Sequence, residues 1–263
     1  MIIDANAYLG TWAFRKLPVT KAKELLSLMD KAGIDKAVVS SINSVLYRNC
    51  EAGNAELLDE IKLYNKRLLP LITINPVYAG WQKDFENAVK NKSVAGIRAY
   101  PNYHNYPAEG SAIKELAQRC AKAGFPLFLS VQFEDWRQRH FLDRVANISG
   151  EQIRFLIQET PKLKAVVTNS EGALIQEIIF GLTKNEAERV YFDNTFIWGP
   201  PTNELQRLVN SIGHKHFVFG SHMPFRIPQA SLKRIDSLEI EEPVRKMILG
   251  NNILDILRLP LRR

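Results

Sequence analysis

Three of the chain's five histidines stand among acids, arginines and aromatic residues: His104 in PNYHNY, His140 in FEDWRQRH and His222 in FGSHMPF. An imidazole with an unperturbed pKa of about 6.5 can take up or release a proton at neutral pH, so each is a candidate general acid or base. The adjacent Glu134 and Asp135 could orient such a histidine or serve as its acid partner, or they could form a solvated turn. Arg98, in GIRAY, offers the forked donor set that grips a carboxylate through two hydrogen bonds. It could equally form an internal salt bridge with Asp4, Glu134 or Asp135. Together these groups suit proton transfer at a small carboxylate-bearing molecule, with one of the histidines as general base, Arg98 as anion anchor and Glu134 or Asp135 as acid partner.

Such residues need a scaffold that brings them together, and the hydrophobic pattern predicts one. Short apolar runs at 2–5, 37–42, 68–75, 95–100, 126–132, 163–169, 190–194 and 217–220 read as eight strands. Helix-period segments separate them at 21–32, 54–65, 81–91, 112–123, 151–160, 172–182, 203–212 and 228–238, and a further helix is expected over 243–257. Gly33 and Gly124 stand where helices end in the left-handed conformation. Eight β/α alternations without a linker predict one α/β domain over 1–263, a (β/α)₈ TIM barrel with an extra C-terminal helix.

A barrel places its site at the C-terminal ends of the strands and on the loops that follow. Here the loops after strands one, two, four and five are long and rich in chemistry: GTWAFRKLP, NSVLYRN, PNYHNYPAEG and FEDWRQRHFLDR. His104, His140 and His222 fall on that face, whereas His214 and His216 precede the last strand and belong to the opposite one. Alternation turns Arg98 and Tyr100 of strand four inward, with Ser130 and Gln132 of strand five. Trp12, Phe14 and Arg15, with Tyr47 and Arg48, could wall a planar anion or make lid or dimer contacts. Asp193 and Asn194 end strand seven and add to the polar ring.

Composition narrows the partners. The formal charge is +7 and the pI about 9.3, but the basic residues are scattered and no nucleic-acid-binding motif appears, so nucleic acid is not an expected partner. A small anionic organic substrate makes better use of the charge. No apolar run approaches the ~18 residues that span a bilayer, and no secretory leader is evident, so a cytoplasmic location without membrane association is expected. The two cysteines, Cys50 and Cys120, are far apart and fit neither a zinc knuckle nor a disulfide framework.

Four segments in order, IIDANAYLG, GIRAYPNYHNY, PLFLSVQFEDWRQRH and VFGSHMPF, with ILGNNILDIL downstream, resemble the amidohydrolase-related family, in its aminocarboxymuconate decarboxylase-like branch. The resemblance spans essentially the whole chain. It implies a barrel with a divalent metal at its mouth, held by two strand-one histidines, a histidine each on strands five and six, and a strand-eight aspartate. These positions fall on Asn6, Tyr8, Ser130, Asn169 and His222. Only His222 is a good ligand type, since zinc takes imidazole, thiolate or carboxylate donors. The resemblance therefore implies the family's barrel with its usual metal site largely replaced, and no cofactor is expected, although zinc at a rebuilt site of His104, His140, His222 and an acid is conceivable.

The resulting expectation is a metal-independent hydrolase of a lactone or ester, in which the resemblance makes His222, at the position of the family's proton-handling aspartate, the general base, with Arg98 as anion anchor and Asp135 as the third catalytic candidate. Asn6, Tyr8, Trp12, Tyr100, His104, Ser130, Gln132, Glu134, His140 and Asn169 are its candidate substrate-binding residues. A decarboxylase of the same family and a catalytically inactive binding barrel remain the alternatives. Members of the family often pair, which leaves a homodimer open.

Overall fold

The computed structural model describes residues 1–198 and 203–257. Its centre is an eight-stranded parallel sheet in sequential order: β1 (Ile3–Leu9), β2 (Lys36–Ser41), β3 (Leu68–Thr73), β4 (Gly96–Ala99), β5 (Leu127–Ser130), β6 (Ala165–Thr168), β7 (Val190–Asp193) and β8 (Phe217–Val218). Backbone bonds from Ala5 N to Phe219 O, His222 N to Asn6 O and Tyr8 N to Met223 O, at 2.8, 2.8 and 2.9 Å, join β1 to the segment after β8. The sheet thereby curls into the expected (β/α)₈ barrel. Both faces of its strands are covered, which is why they read as nearly continuous apolar runs.

One face of each strand packs on the surrounding helices. In Ala22–Ala32, Leu25 and Met29 are buried one turn apart, and Gly33 at φ 70° closes the helix, donating its N–H to Asp30 and Met29 carbonyls. Gly124, also at φ 70°, ends Ser111–Ala123 in the same way; the left-handed cap that glycine adopts freely is required at both. The other face fills the barrel with Ile3, Val38, Leu69, Leu71, Phe128, Val166 and Val218. Ile253, Ile256 and Leu257 join that cluster, so the last helical segment stoppers the N-terminal end of the barrel.

Two helices depart from the sequence pattern. The helix expected over 54–65 runs instead over Cys50–Ile61, because the Asn49 side chain accepts from Glu51 N and starts it four residues early. Hydrophobic periodicity does not register a cap. The helix expected over 243–257 is divided into Glu242–Lys246, a π-turn at Met247–Asn251 and Asn252–Ile256. A Cβ on Gly250 in that turn would stand 2.5 Å from the Met1 carbonyl oxygen, so only glycine lets the segment press against the start of the chain.

β1 contains one irregularity that bears on the site. Asp4 pairs with Ala37 and Ala7 with Val39, so β1 holds one extra residue between these pairs, at Ala5–Asn6. A bulge of this kind re-aims a side chain. It falls on the first of the two strand-one positions where the family resemblance places a metal ligand.

Candidate active site at the C-terminal mouth

Asn6, fully buried, is the link in the polar layer of the barrel. Its Nδ2 donates to Asn169 Oδ1 at 2.8 Å and to Asp193 Oδ2 at 2.7 Å, and its Oδ1 accepts from Arg98 Nη1 at 3.0 Å. Asp193, at the end of β7, also accepts from Asn169 N at 2.8 Å and from Thr195 Oγ1 at 2.6 Å. Every group facing this carboxylate is a donor, which suits the ionised form. Burial outweighs these bonds and Arg98, which act in the opposite direction, and raises its pKa above the ordinary 3.8. Asp4 is held by Asn6 N and Ser221 N, at 2.9 and 3.0 Å, and by the Ser221 hydroxyl. It ties β1 to the turn after β8, and burial pushes its carboxyl up to about 6.

Arg98 is completely buried, and its guanidinium lies 5.0 Å from the Tyr8 ring centroid and 5.3 Å from that of Phe128. It donates to Asn6 and to the Tyr8 hydroxyl, the two residues at the strand-one ligand positions. The internal salt bridge with Asp4, Glu134 or Asp135 is not formed; Asp193 compensates the charge at a distance, through Asn6. Arg98 Nε and Nη2 and the Tyr100 hydroxyl are buried without a well-formed hydrogen bond. A buried donor left without a partner costs roughly 1–3 kcal/mol.

His222 is in the same condition: 1% exposed, with neither ring nitrogen in a well-formed hydrogen bond. Its backbone has φ 59°, a left-handed conformation that costs a non-glycine residue of order 1–3 kcal/mol. Burial lowers its pKa well below 6.5. The guanidiniums of Arg226 and Arg98 lower it further against a weak opposing contribution from the Phe133 backbone, so the ring is neutral at pH 7. Tyr8, Phe133, Phe196 and Phe225 surround it, at centroid distances of 5.0 to 6.0 Å.

An aromatic cover lies over this layer. Trp12 stacks on Phe133 at 4.6 Å, and Phe225 meets Phe133 edge-on at 4.8 Å. Glu134 fixes the cover, accepting from Trp12 Nε1 at 2.8 Å and from Arg15 Nε at 2.6 Å, while Arg15 Nη2 donates to Phe225 O at 3.2 Å. Long loops after β1, β5 and β8 are thus pinned together above His222.

The remaining candidates divide by position. Ser130 is buried and shares a 3.0 Å hydrogen bond with Thr168 Oγ1. Gln132 lies beside Asn169, with its Nε2 3.4 Å from the Asn169 carbonyl, and Asn169 Nδ2 donates to Gln132 O at 2.8 Å. His104 points away from the centre: its Nε2 stands 3.0 Å from Ser44 O and 3.6 Å from Cys50 Sγ, and burial pushes its pKa down to about 4. His140 stacks on Phe14 at the rim, and its Nδ1 accepts from Leu142 N. Asp135, expected as a partner for His222, instead holds Arg137 through two bonds of 3.0 and 2.7 Å and Arg226 at 3.2 Å. Arg137 foremost lowers its carboxyl to about 2.

Asp193, which the sequence placed in the polar ring without a role, is the principal acid of the layer. Its position at the C-terminal end of an inward-facing strand was the available signal. Phe133 and Phe225, which close the mouth, carried no such signal, because isolated aromatic residues in loops are common.

The donor set does not suit the divalent metal that the resemblance implies. Asn6 and Arg98 direct N–H groups into the layer where a cation needs lone pairs, and a guanidinium already places positive charge on the strand-one positions. Among the described residues no three His, Cys, Asp or Glu side chains converge, so His104, His140 and His222 do not rebuild a site.

A single parallel (β/α)₈ barrel with buried polar and ionisable groups at the C-terminal ends of its strands defines a TIM-barrel protein. The chain belongs to the amidohydrolase family (Amidohydro_2), whose model matches residues 18–259. It is similar in structure to 5-carboxyvanillate decarboxylase from Sphingomonas paucimobilis, with TM-score 0.75 and 14% identity over 98% of this chain and 99% of that one. It is also similar to 2,6-dihydroxybenzoate decarboxylase from Rhizobium, with TM-score 0.72 and 11% identity over 97% and 98%. A probable 2-pyrone-4,6-dicarboxylic acid hydrolase from Acinetobacter baumannii, with citric acid bound, gives 0.69 and 14% over 97% and 98%. Identities this low establish a shared fold. Among curated proteins, no sequence matches the chain.

Proposed function

We propose that this barrel hydrolyses a small carboxylate-bearing lactone or ester without the family's divalent metal. The supporting observation is the pair of buried, hydrogen-bond-deficient groups: Arg98, with two guanidinium nitrogens lacking good partners, and His222, with both ring nitrogens lacking them. A carboxylate would satisfy the first group and a water molecule the second.

In this scheme Arg98 anchors the substrate carboxylate. The neutral His222 ring takes a proton from water as its oxygen bonds to the acyl carbon, and the carbonyl π electrons move onto oxygen. When the tetrahedral intermediate collapses, the C–O bond to the leaving alkoxide breaks, and the imidazolium returns its proton to that oxygen. Positioned acid–base groups of this type contribute on the order of 10²–10⁴-fold. Substrate entry requires Trp12, Phe133 and Phe225 to part.

Decarboxylation is the second reading. The enclosure of His222 by Tyr8, Phe133, Phe196 and Phe225 supports it, because apolar surroundings disfavour a carboxylate. Its weakness is that carbon must be protonated, whereas burial and the neighbouring guanidiniums keep His222 as the neutral imidazole, a poor proton donor.

A panel of lactones and carboxylated esters, assayed with and without chelator, tests the proposal. Turnover should be indifferent to chelator and fall at least ~100-fold in His222→Ala. Restoration of activity by added zinc would overturn the metal-free mechanism. Binding of panel members without turnover would favour the non-catalytic barrel, and carbon dioxide release from a carboxylated arene would favour decarboxylation.

A further inference from the structure

Beside the covered mouth, a cavity of about 600 Å³ opens between the loops after β5, β7 and β8 and the helix Pro228–Asp236. Three arginines from different segments converge on it around Trp198. The guanidinium carbon of Arg137 lies 4.6 Å from that ring's centroid, that of Arg226 5.4 Å and that of Arg234 5.9 Å. Arg226 also stacks on Phe196 at 4.1 Å. One carboxylate, Asp135, serves Arg137 and Arg226. Arg234 forms no ion pair among the described residues; it is anchored by donating to the Asn194 and Thr195 carbonyls, at 3.2 and 2.8 Å.

This arrangement concentrates charge where ordinary packing would disperse it. The three guanidiniums have a single directly bonded carboxylate, Asp135, while Asp193 and Glu171 act on them only at a distance. Arg226 and Arg234 are partly buried and repel each other; desolvation lowers both pKa values, and for Arg234 the charge of Arg226 adds to it. Packing on Trp198 does not by itself require this, since an aromatic residue or leucine would pack there without the repulsion. The fold uses Arg234 to bond the Asn194 and Thr195 carbonyls, but among the described residues the Arg226 and Arg137 side chains make no such backbone bonds. Asp135 already shows how an anion sits here, bidentate on one guanidinium and singly bonded to the next.

We infer that this rim cavity is a binding site for a small organic dianion, a dicarboxylate or a phosphate monoester, gripped by Arg226 and Arg234 with Arg137 at the entrance. A dianion engages Arg226 and Arg234 together, and 600 Å³ holds an organic anion rather than a lone inorganic ion. The site is separate from Arg98 and His222. Phe225 lies between, lining the cavity on one side and packing on His222, 5.0 Å between centroids, on the other. The inference does not depend on the hydrolytic reading.

The test is calorimetric titration of the full chain with phthalate, succinate, phenyl phosphate and, as control, acetate. Phthalate or succinate should bind if the source is a dicarboxylate, and phenyl phosphate if it is a phosphate monoester, each at least tenfold more tightly than acetate. Binding should weaken as salt rises, since guanidinium–anion attraction is screened within about 8 Å at physiological ionic strength. Arg226→Met should weaken binding roughly ten- to a hundredfold, the usual effect of losing a charged hydrogen-bonding partner. Arg137→Ala is mostly exposed, so it disturbs folding least; it should weaken binding by a smaller factor. His222→Ala should leave binding unchanged, which separates this site from the proposed reaction. Equal binding of acetate, dianion affinity unchanged in Arg226→Met and Arg137→Ala, or no binding at millimolar concentration would each overturn the inference.

Discussion

Replacing Asp193 by Asn isolates the charge on which the buried layer rests. The carboxylate accepts Asn169 N on one oxygen and both Asn6 Nδ2 and Thr195 Oγ1 on the other. An amide keeps the shape but turns one of those oxygens into a donor. The less damaging orientation places its NH₂ against Asn6 Nδ2 and lets Thr195 turn to the Gly220 carbonyl, 3.0 Å away. One buried donor–donor clash then remains, costing roughly 1–3 kcal/mol. The larger loss is electrostatic: Arg98, completely buried, loses the carboxylate that offsets its charge, and uncompensated buried ions cost about 3–5 kcal/mol. Because the two overlap, the expected loss is about 3–5 kcal/mol, a large share of the roughly 5–15 kcal/mol that holds a typical protein folded. Urea unfolding followed by circular dichroism would measure it, with an unchanged m-value as the sign that only stability moved. The cycle with Arg98→Met is the sharper assay. If Asp193 matters through Arg98, the two losses should fall short of additivity by at least ~1 kcal/mol. A single-variant loss below about 1 kcal/mol, or strict additivity, would refute the assignment of Asp193 as the counter-charge.

Asp4 predicts a pH dependence of stability. Its folded pKa of about 6 lies above the ordinary 3.8, so the native state holds this proton more tightly than the unfolded chain. This contribution is fully present below about 3.8 and is lost as pH rises through 6, up to about 3 kcal/mol. Asp4→Asn should flatten the decline between pH 4 and 6 in urea titrations; an identical slope would contradict it. Gly220→Ala should cost about 1–3 kcal/mol in thermal or urea unfolding, because the new Cβ would meet Asp193 Cβ and Oδ2 at 2.7 Å in a bonded layer that cannot give way. The pH–rate profile of any hydrolysis should stay level from pH 8 to below 6.5, since the His222 ring stays unprotonated over that range, and fall only in more acid solution. An acid limb centred at an ordinary histidine pKa would exclude His222 as the base.

The barrel was legible in the sequence because burial on both faces makes each parallel strand an apolar run and each covering helix an amphipathic one. Six strands fall within the predicted runs, β2 begins one residue early at Lys36, and β1 extends to Leu9, past its predicted end. Where sequence reading failed, the cause was local and physical: the Asn49 cap and the π-turn at Met247–Asn251 depend on single contacts that periodicity does not carry. Arg98 was legible as an inward group for the complementary reason, since a charge at an inward strand position breaks an otherwise apolar pattern.

What the residues alone determined is the scaffold, the face that carries the polar groups, and the mismatch between Asn6, Tyr8, Ser130 and Asn169 and a divalent metal, since side-chain chemistry fixes what a position can ligate. Which groups meet was decided only by the tertiary structure. Asn6 and Asp193 are 187 residues apart in sequence, and Asp135 and Arg226 are 91 apart, yet each pair is in direct hydrogen-bonding contact. Barrel closure, the bulge in β1 and the loops pinned by Glu134 brought Asp193 to Asn6, drew Asp135 away from His222 and gathered three arginines around Trp198. Such contacts depend on strand register and loop path, which are set by the packing of the whole barrel rather than by any one segment.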